Sequence, residues 1–250
     1  MQRSNLFGVS FSVTNYEELT QHIFERITSG QPPHGAVAAL AVHGLMEAYS
    51  DRAFREQVNS LDWVVPDGQP VRWALNYFNS LQLKKRVYGP DLMLYLLQRA
   101  AATQVPVFLY GSKATTLQLL QQNLVHKFPS LRIAGVQADR FREATEEEKQ
   151  QDRQTIIRSG AGIVFVGRGC PRQEKWAADN KEHIPAILVA VGAAFDFHAG
   201  TVRQAPAWMQ ESGMEWLFRL GQEPRRLWRR YLLTNTQFLL VFIRHLLRIK

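Results

Sequence analysis

The sequence predicts an α/β protein: a Rossmann-like, mostly parallel sheet with helices on both faces, followed by a C-terminal basic amphipathic helical appendage. Three observations predict it. Short, mostly apolar runs recur along the first two hundred residues. Helical patterns separate them, the alternation that produces parallel strands joined by crossover helices. After about Gly200 the strand-like runs stop, and segments rich in Trp, Leu and Arg take over.

The expected strands, in order, are Ala36–Val42, Leu61–Val65, Val105–Tyr110, Leu131–Val136, Gly162–Val166 and Pro185–Val191. The expected helices between and around them are Tyr16–Ser29, Asp51–Asn59, Asp91–Thr103, Ala114–Phe128 and Glu146–Ser159. Beyond the sheet, Ala207–Leu220 and Pro224–Ile249 read as helices. The change of character places a boundary near residue 200, with an α/β domain over 1–200 and the appendage over 201–250. In a parallel sheet of this kind ligands sit beyond the carboxyl ends of the strands. Those ends carry Pro66-Asp67-Gly68, Gly111-Ser112-Lys113, Gly167-Arg168-Gly169 and Gly192-Ala193-Ala194.

Composition narrows the class. The chain has 250 residues, 46% of them hydrophobic and 21% charged, enough for a sizeable core and too little bias for disorder. A single cysteine, Cys170, excludes an intrachain disulfide framework and a cysteine-based zinc site within one chain. It fits a reducing compartment. Polar residues interrupt the start, MQRSNLFGVSFSV, too often for a secretory signal. The expected location is therefore cytoplasmic.

The net charge of +8 is unevenly placed. From Gly221 to Lys250 seven Arg/Lys face one acid, so +6 of the +8 lies in the last thirty residues. That end calls for an anionic partner. Arg225 and Arg229, and Arg226 and Arg230, are i,i+4 pairs that form a basic stripe beside Trp228 and Tyr231. The apolar run Phe238–Ile243 has six residues, against the roughly 20 a bilayer span needs. Such a segment suits an interfacial helix on an anionic membrane; a helix packed on its own domain with solvated arginines is the plainer alternative. Nucleic-acid binding is not expected, because the core shows no basic groove.

Four segments are candidates for chemistry. Asp67 follows a buried strand and sits between Pro66 and Gly68, where a carboxylate can accept a proton from a substrate hydroxyl. Turn chemistry alone also accounts for Pro-Asp-Gly. In Arg86-Val87-Tyr88-Gly89-Pro90-Asp91, Arg86 is placed to pair with a phosphate or with Asp91, and Asp91 to cap the next helix. Gly167-Arg168-Gly169-Cys170-Pro171-Arg172-Gln173-Glu174 follows a strand and opens a helix. Arg172 stands where a dinucleotide fingerprint needs its third glycine, which excludes a nicotinamide or flavin site. A helix N-terminus there still suits a phosphate or a sugar hydroxyl, with Gln173 and Glu174 in its first turn. Asp196 again falls beyond a strand. No metal-ligand spacing is present, so no metal and no cofactor are expected.

Together these segments resemble the WecG/TagA/CpsF glycosyltransferase family. The matching stretches are Pro66-Asp67-Gly68, Arg86-x-x-Gly89-x-Asp91-Leu92-Met93, Gly167-x-Gly169-x-Pro171-x-Gln173-Glu174 and Val191 to Asp196. The most diagnostic runs from Arg203-Gln204-Ala205-Pro206 through Glu215-Trp216-Leu217-Phe218-Arg219-Leu220 to Glu223-Pro224-Arg225-Arg226-Leu227-Trp228-Arg229-Arg230-Tyr231. The resemblance implies an inverting, metal-independent enzyme. Such an enzyme moves a hexose or N-acetylhexosamine-type sugar from a UDP-sugar to an undecaprenyl-diphosphate-linked sugar in exopolysaccharide or surface glycan synthesis. It implies a peripheral position at the cytoplasmic face of a bacterial inner membrane. It makes Asp67 the general base, and Gln173 with the Gly111, Gly167, Gly169 and Asp196 loops the donor pocket. Arg86, Asp91 and Glu174 join that substrate-binding set, while Arg225, Arg226, Arg229 and Arg230 reach the diphosphates and the membrane. A non-catalytic peripheral membrane partner of a polysaccharide assembly complex is the alternative.

The chain departs from the family pattern twice. Before Asp67 the family usually has Thr-x-Asn, whereas this chain reads Ala41-Val42-His43-Gly44. That is similar to a subgroup making xanthan-like polymers from UDP-glucose. It makes His43 a candidate for sugar contact or catalysis, beside the reading of a strand-end histidine bonded to backbone. The family's glycine-aromatic motif after the middle strand is replaced by Gln137-Ala138-Asp139-Arg140-Phe141.

Overall fold

The computed structural model describes residues 1–248. A six-stranded sheet forms its centre, from β3 (Gly35–Leu40), β4 (Trp63–Pro66), β5 (Val107–Gly111), β6 (Ile133–Gln137), β7 (Ile163–Gly167) and β8 (Ile187–Ala190). The order is β4-β3-β8-β7-β5-β6, and every pair is parallel. All six expected strands are present, most of them shifted by one or two residues.

Side-chain alternation along each strand sorts the core into two layers. Ala38, Leu40, Val64, Val166, Leu188 and Ala190 face one way, packed beneath α2 (Val42–Ser50), α3 (Arg52–Asn59), α4 (Gln69–Asn79) and α8 (Arg172–Asn180). Val37, Val65, Leu109, Phe165 and Val189 face the other way, under α1 (Tyr16–Ile27), α5 (Gly89–Thr103), α6 (Ala114–Lys127) and the short α9 (Ala194–His198). Five of the six strands are buried on both faces, which is why they read as apolar runs, while the edge strand β6 is only part-buried. Helix α7 (Glu146–Ser159) opens with a capping box between Thr145 and Glu148 and buries Ile156.

Several elements differ from the sequence reading. A hairpin of β1 (Arg3–Leu6) and β2 (Val9–Ser12) precedes α1, turning at Phe7 and Gly8 with φ of 53° and 93°. It buries Leu6, Val9 and Phe11 against the core. The strand expected to run to Val42 ends at Leu40, and His43 lies in the first turn of α2. The reason is packing: Leu45, Met46 and Ala48 bury one face of a helix there. Helix α4 has no counterpart among the expected helices; Val71, Ala74 and Leu75 give it a buried stripe. Helix α5 starts at Gly89, with Tyr88 as its N-cap residue, so Asp91 sits in the first turn and caps nothing.

The expected helix Ala207–Leu220 is two helices, α10 (Ala207–Glu211) and α11 (Glu215–Gln222). Gly213 separates them at φ +76°, with Trp73 so close that a Cβ would lie 2.8 Å from its ring. Helix α12 (Pro224–Arg248) follows; Ile249, its expected end, lies outside the described residues. Its Phe238 and Val241 enter the first core layer, and Phe238 and Phe242 join an aromatic cluster with Phe7 and Phe78. No helix among the described residues is long and apolar enough to cross a membrane.

The middle of the sheet closes tightly at its carboxyl end. Gly111 and Gly167 pair in register, and a Cβ on Gly111 would lie 2.6 Å from the Gly167 carbonyl oxygen. Gly111 also holds φ +117°. Backbone cannot yield as a side-chain tip can, so Gly111→Ala is expected to cost about 2–4 kcal/mol of stability. Urea denaturation of the two proteins measures it.

Candidate active site

Asp67 leaves β4 at the carboxyl edge of the sheet, where its backbone N–H donates to the Leu40 carbonyl of the neighbouring strand. Its side chain is 18% exposed. Gly89 at the start of α5 donates its N–H to Asp67 Oδ2 at 3.3 Å, and the nearest cation, Arg86 Nη1, stands 4.0 Å from Oδ1. Burial pushes the Asp67 ionisation up to about 7; Arg86 opposes that and Glu215 reinforces it. A carboxyl group poised there can take a proton from a hydroxyl near neutral pH.

Arg86 is engaged elsewhere. Its Nη2 donates to Glu215 Oε2 at 2.6 Å, and its guanidinium lies 4.0 Å over the Tyr88 ring. Tyr88 donates its hydroxyl to the other Glu215 oxygen at 2.7 Å. The pairing with Asp91 anticipated from sequence is thus replaced by one with an appendage residue 129 positions away. Asp91 instead accepts from the Tyr16 hydroxyl at 3.4 Å, and Tyr16 accepts the Tyr88 N–H at 2.9 Å. Asp91 also borders a cavity of about 320 Å³ with Leu94, Tyr95, Gln98, Lys127 and Phe128. A second cavity of about 210 Å³ lies between the hairpin turn, Phe78 and His245; Asp67 borders neither.

The loops after β7 and β8 meet at Gln173. This buried side chain accepts from the Gly169 N–H at 3.1 Å and donates to Glu174 Oε1 at 2.8 Å. It also packs on Gly192 so closely that a Cβ there would sit 3.3 Å from Gln173 Oε1. Glu174 is 1% exposed and turns into the protein rather than onto the rim. Burial raises its ionisation, and likewise that of the neighbouring Cys170 thiol, which is thereby a poor nucleophile.

His43 lies beside this loop. Its Nδ1 is buried without a hydrogen bond, and Glu47 Oε1 is 3.7 Å away. Burial, then the charge of Arg230, lowers its ionisation to about 4, so the ring is neutral; the Cys170 backbone acts the other way. The structure therefore places His43 with Cys170 and Arg230, at the β3 and β7 loops.

Asp196 sits in the first turn of α9, where the charges of Arg226, Arg219 and Lys113 favour its ionised form and Glu223 opposes it, none of them in an ion pair with it. Burial raises its ionisation against those cations. Arg219 also faces Asp67, lies 5.5 Å over the Phe197 ring, and has a buried Nε with no partner. The four arginines of the expected stripe have different surroundings. Arg226 bonds Glu223 at 2.6 Å and faces Asp196. Arg230 faces His43. Arg225 and Arg229 are exposed, Arg229 lying 5.2 Å over Trp228. Among the described residues no three His, Cys, Asp or Glu side chains group as they would around a metal ion.

Sequence reasoning did not single out Glu215, Arg219 and Lys113, whose charges act on Asp67 or Asp196, as candidate site residues. The first two lie inside the most diagnostic sequence block, which is the available signal. Lys113 stands in a strand-end loop whose glycine is the only local cue.

Residues 4–250 match a family described as the glycosyl transferase WecG/TagA/CpsF family. The chain is 31% identical over 186 residues to an N-acetylglucosaminyldiphosphoundecaprenol N-acetyl-beta-D-mannosaminyltransferase of Bacillus subtilis (strain 168), covering 74% of this chain and 70% of that protein.

Proposed function

The chain belongs to the WecG/TagA/CpsF family of glycosyltransferases, and we propose that it transfers a hexose or N-acetylhexosamine from a UDP-sugar to a polyprenyl-diphosphate-linked sugar, with inversion and with Asp67 as general base. The relative's lipid-linked acceptor supports the acceptor class. The observation that carries the catalytic reading is a carboxyl group at a strand tip that accepts the Gly89 N–H and lies 4.0 Å from Arg86, with burial raising its ionisation.

The acceptor hydroxyl attacks the anomeric carbon as its proton passes to Asp67. The bond from that carbon to the UDP oxygen breaks on the opposite face, which inverts the centre. The departing diphosphate gains charge. Arg219, Arg226 and Lys113, whose charges act on Asp196, and the free N–H groups opening α6 are the groups available to meet it. In this reading residues 201–248 work as a unit that brings cations to the site and holds the enzyme on the membrane. Glycan assembly at the cytoplasmic face of a bacterial inner membrane is the setting that fits.

The membrane part rests on α12. Leu232, Leu239, Leu240, Ile243 and Leu247 are each half or more exposed and spaced along one helical side, with Arg225 and Arg229 before them and Arg244 among the last. Replacing Leu239, Leu240 and Ile243 with Ser is expected to lower binding to phosphatidylglycerol-containing vesicles about a hundredfold or more, at about 1 kcal/mol or more per side chain. Co-sedimentation measures it, and unchanged binding would contradict membrane docking through this face.

A screen of UDP-sugars against a short-chain polyprenyl-diphosphate-sugar, read as UDP release and a heavier lipid product, tests the activity. Product with one donor is the expected result. UDP release without any lipid product would overturn the acceptor assignment.

A further inference from the structure

Glu215 is a buried carboxylate beside Asp67 that the reaction above leaves without a role. It is 9% exposed, and both its oxygens are bonded, one to Arg86 at 2.6 Å and one to the Tyr88 hydroxyl at 2.7 Å. Arg86 thus lies between two carboxylates and is shared unequally: 2.6 Å from Glu215 and 4.0 Å from Asp67. The Tyr88 ring stacks on the guanidinium, and Gln210 accepts from Nη2 at 3.4 Å, so the arginine is held on the appendage side.

The asymmetry has a chemical consequence. A guanidinium favours the ionised form of a carboxylate most strongly when it is directly bonded to it, and less as the distance grows. We propose that Glu215 is a positioning residue acting through Arg86: it holds the guanidinium in the tighter ion pair, so that Asp67 meets the cation only across 4.0 Å and remains able to take up a proton. Glu215 stands on α11.

The groups facing Asp67 come from three elements. Tyr16 belongs to α1; Arg86, Tyr88 and the Gly89 N–H to the turn opening α5; Glu215 and Arg219 to α11. Arg86 and Arg219 favour the carboxylate and Glu215 opposes it. Removing the Glu215 charge shifts that balance one way, toward ionised Asp67. The catalytic consequence rests on Asp67 being the base, but the charge balance does not.

The test uses the full chain carrying aspartate labelled with carbon-13 at the carboxyl, the Asp67 signal being assigned by its loss in Asp67→Asn. In Glu215→Gln the NMR titration midpoint of Asp67 is expected to fall by about one pH unit or more, a tenfold change in proton affinity. Tyr88→Phe, which loosens Glu215 by one bond and keeps all charges, is expected to move it the same way by less. An unchanged or raised midpoint in folded Glu215→Gln, or in Tyr88→Phe should the first variant not fold, overturns the proposal. With the active donor, the acid limb of kcat should move with the midpoint; a structural role alone would change KM or stability and leave that limb in place. A shifted midpoint in a protein that transfers no sugar supports the positioning and refutes the proposed function. Transfer with an unmoved midpoint does the reverse.

Discussion

Asp67→Asn is expected to lower turnover about 10²- to 10⁴-fold, the usual worth of a positioned general base, while binding of UDP stays within a few-fold. The amide keeps the size of the side chain and can still accept the Gly89 N–H, so the loop has no reason to move. The same change is expected to stabilise the fold above neutral pH. Burial raises the native ionisation from 3.8 to about 7, so the native state binds more protons than the unfolded chain between those values. Stability is therefore lost as pH rises through that window. At ~1.4 kcal/mol per pH unit the native state forfeits roughly 4 kcal/mol by the alkaline end. The Asn variant escapes this cost. Its thermal midpoint should match the wild type in acid and exceed it in alkali. An inactive variant that gains stability only at high pH would identify Asp67 as a residue kept strained for its chemistry.

Arg219→Met is expected to lower kcat about 10²- to 10³-fold, the effect of removing one preorganised donor from developing charge. Arg219 is the cation that faces both Asp67 and Asp196, and none of the ion pairs among the described residues uses it. Its Nε is buried and unbonded, and its guanidinium rests on Phe197. Methionine keeps most of the apolar stem, so folding should be preserved. Arg226→Met makes the comparison: that side chain is exposed and already bonded to Glu223, so its loss should cost turnover about tenfold or less. Single-turnover rates with saturating donor separate the two. Equal losses would show that the appendage acts through its summed charge rather than through Arg219.

The sheet was legible because all but its edge strand β6 are buried on both faces and its helices fall between them. Ile163–Val166 and Ile187–Val191 stand out as runs of four and five apolar residues, each followed by a glycine. The hairpin was not legible, since its four-residue strands mix Arg, Ser and Asn with the buried Leu6 and Phe11, and its turn puts Phe7 at positive φ. Helix α2 was hidden because Val42 continues the apolar run of β3, and only tertiary packing of Leu45 and Met46 ends the strand at Leu40. Asp67 could be singled out by local chemistry, a carboxylate at a strand tip. Its partners could not. Glu215 and Arg219 approach Asp67 across some 150 residues of chain, and no local pattern tells which of many charged residues in a basic segment turns inward.

The pH dependence of single-turnover sugar transfer tests the central claim most directly, namely that Asp67 takes the acceptor proton at an ionisation set by its surroundings. The rate is expected to rise tenfold per pH unit from acid, level off near 7, and lose this dependence in Asp67→Asn. A wild-type rate that is flat from pH 5 to 8, or a variant that keeps the wild-type limb, would contradict it.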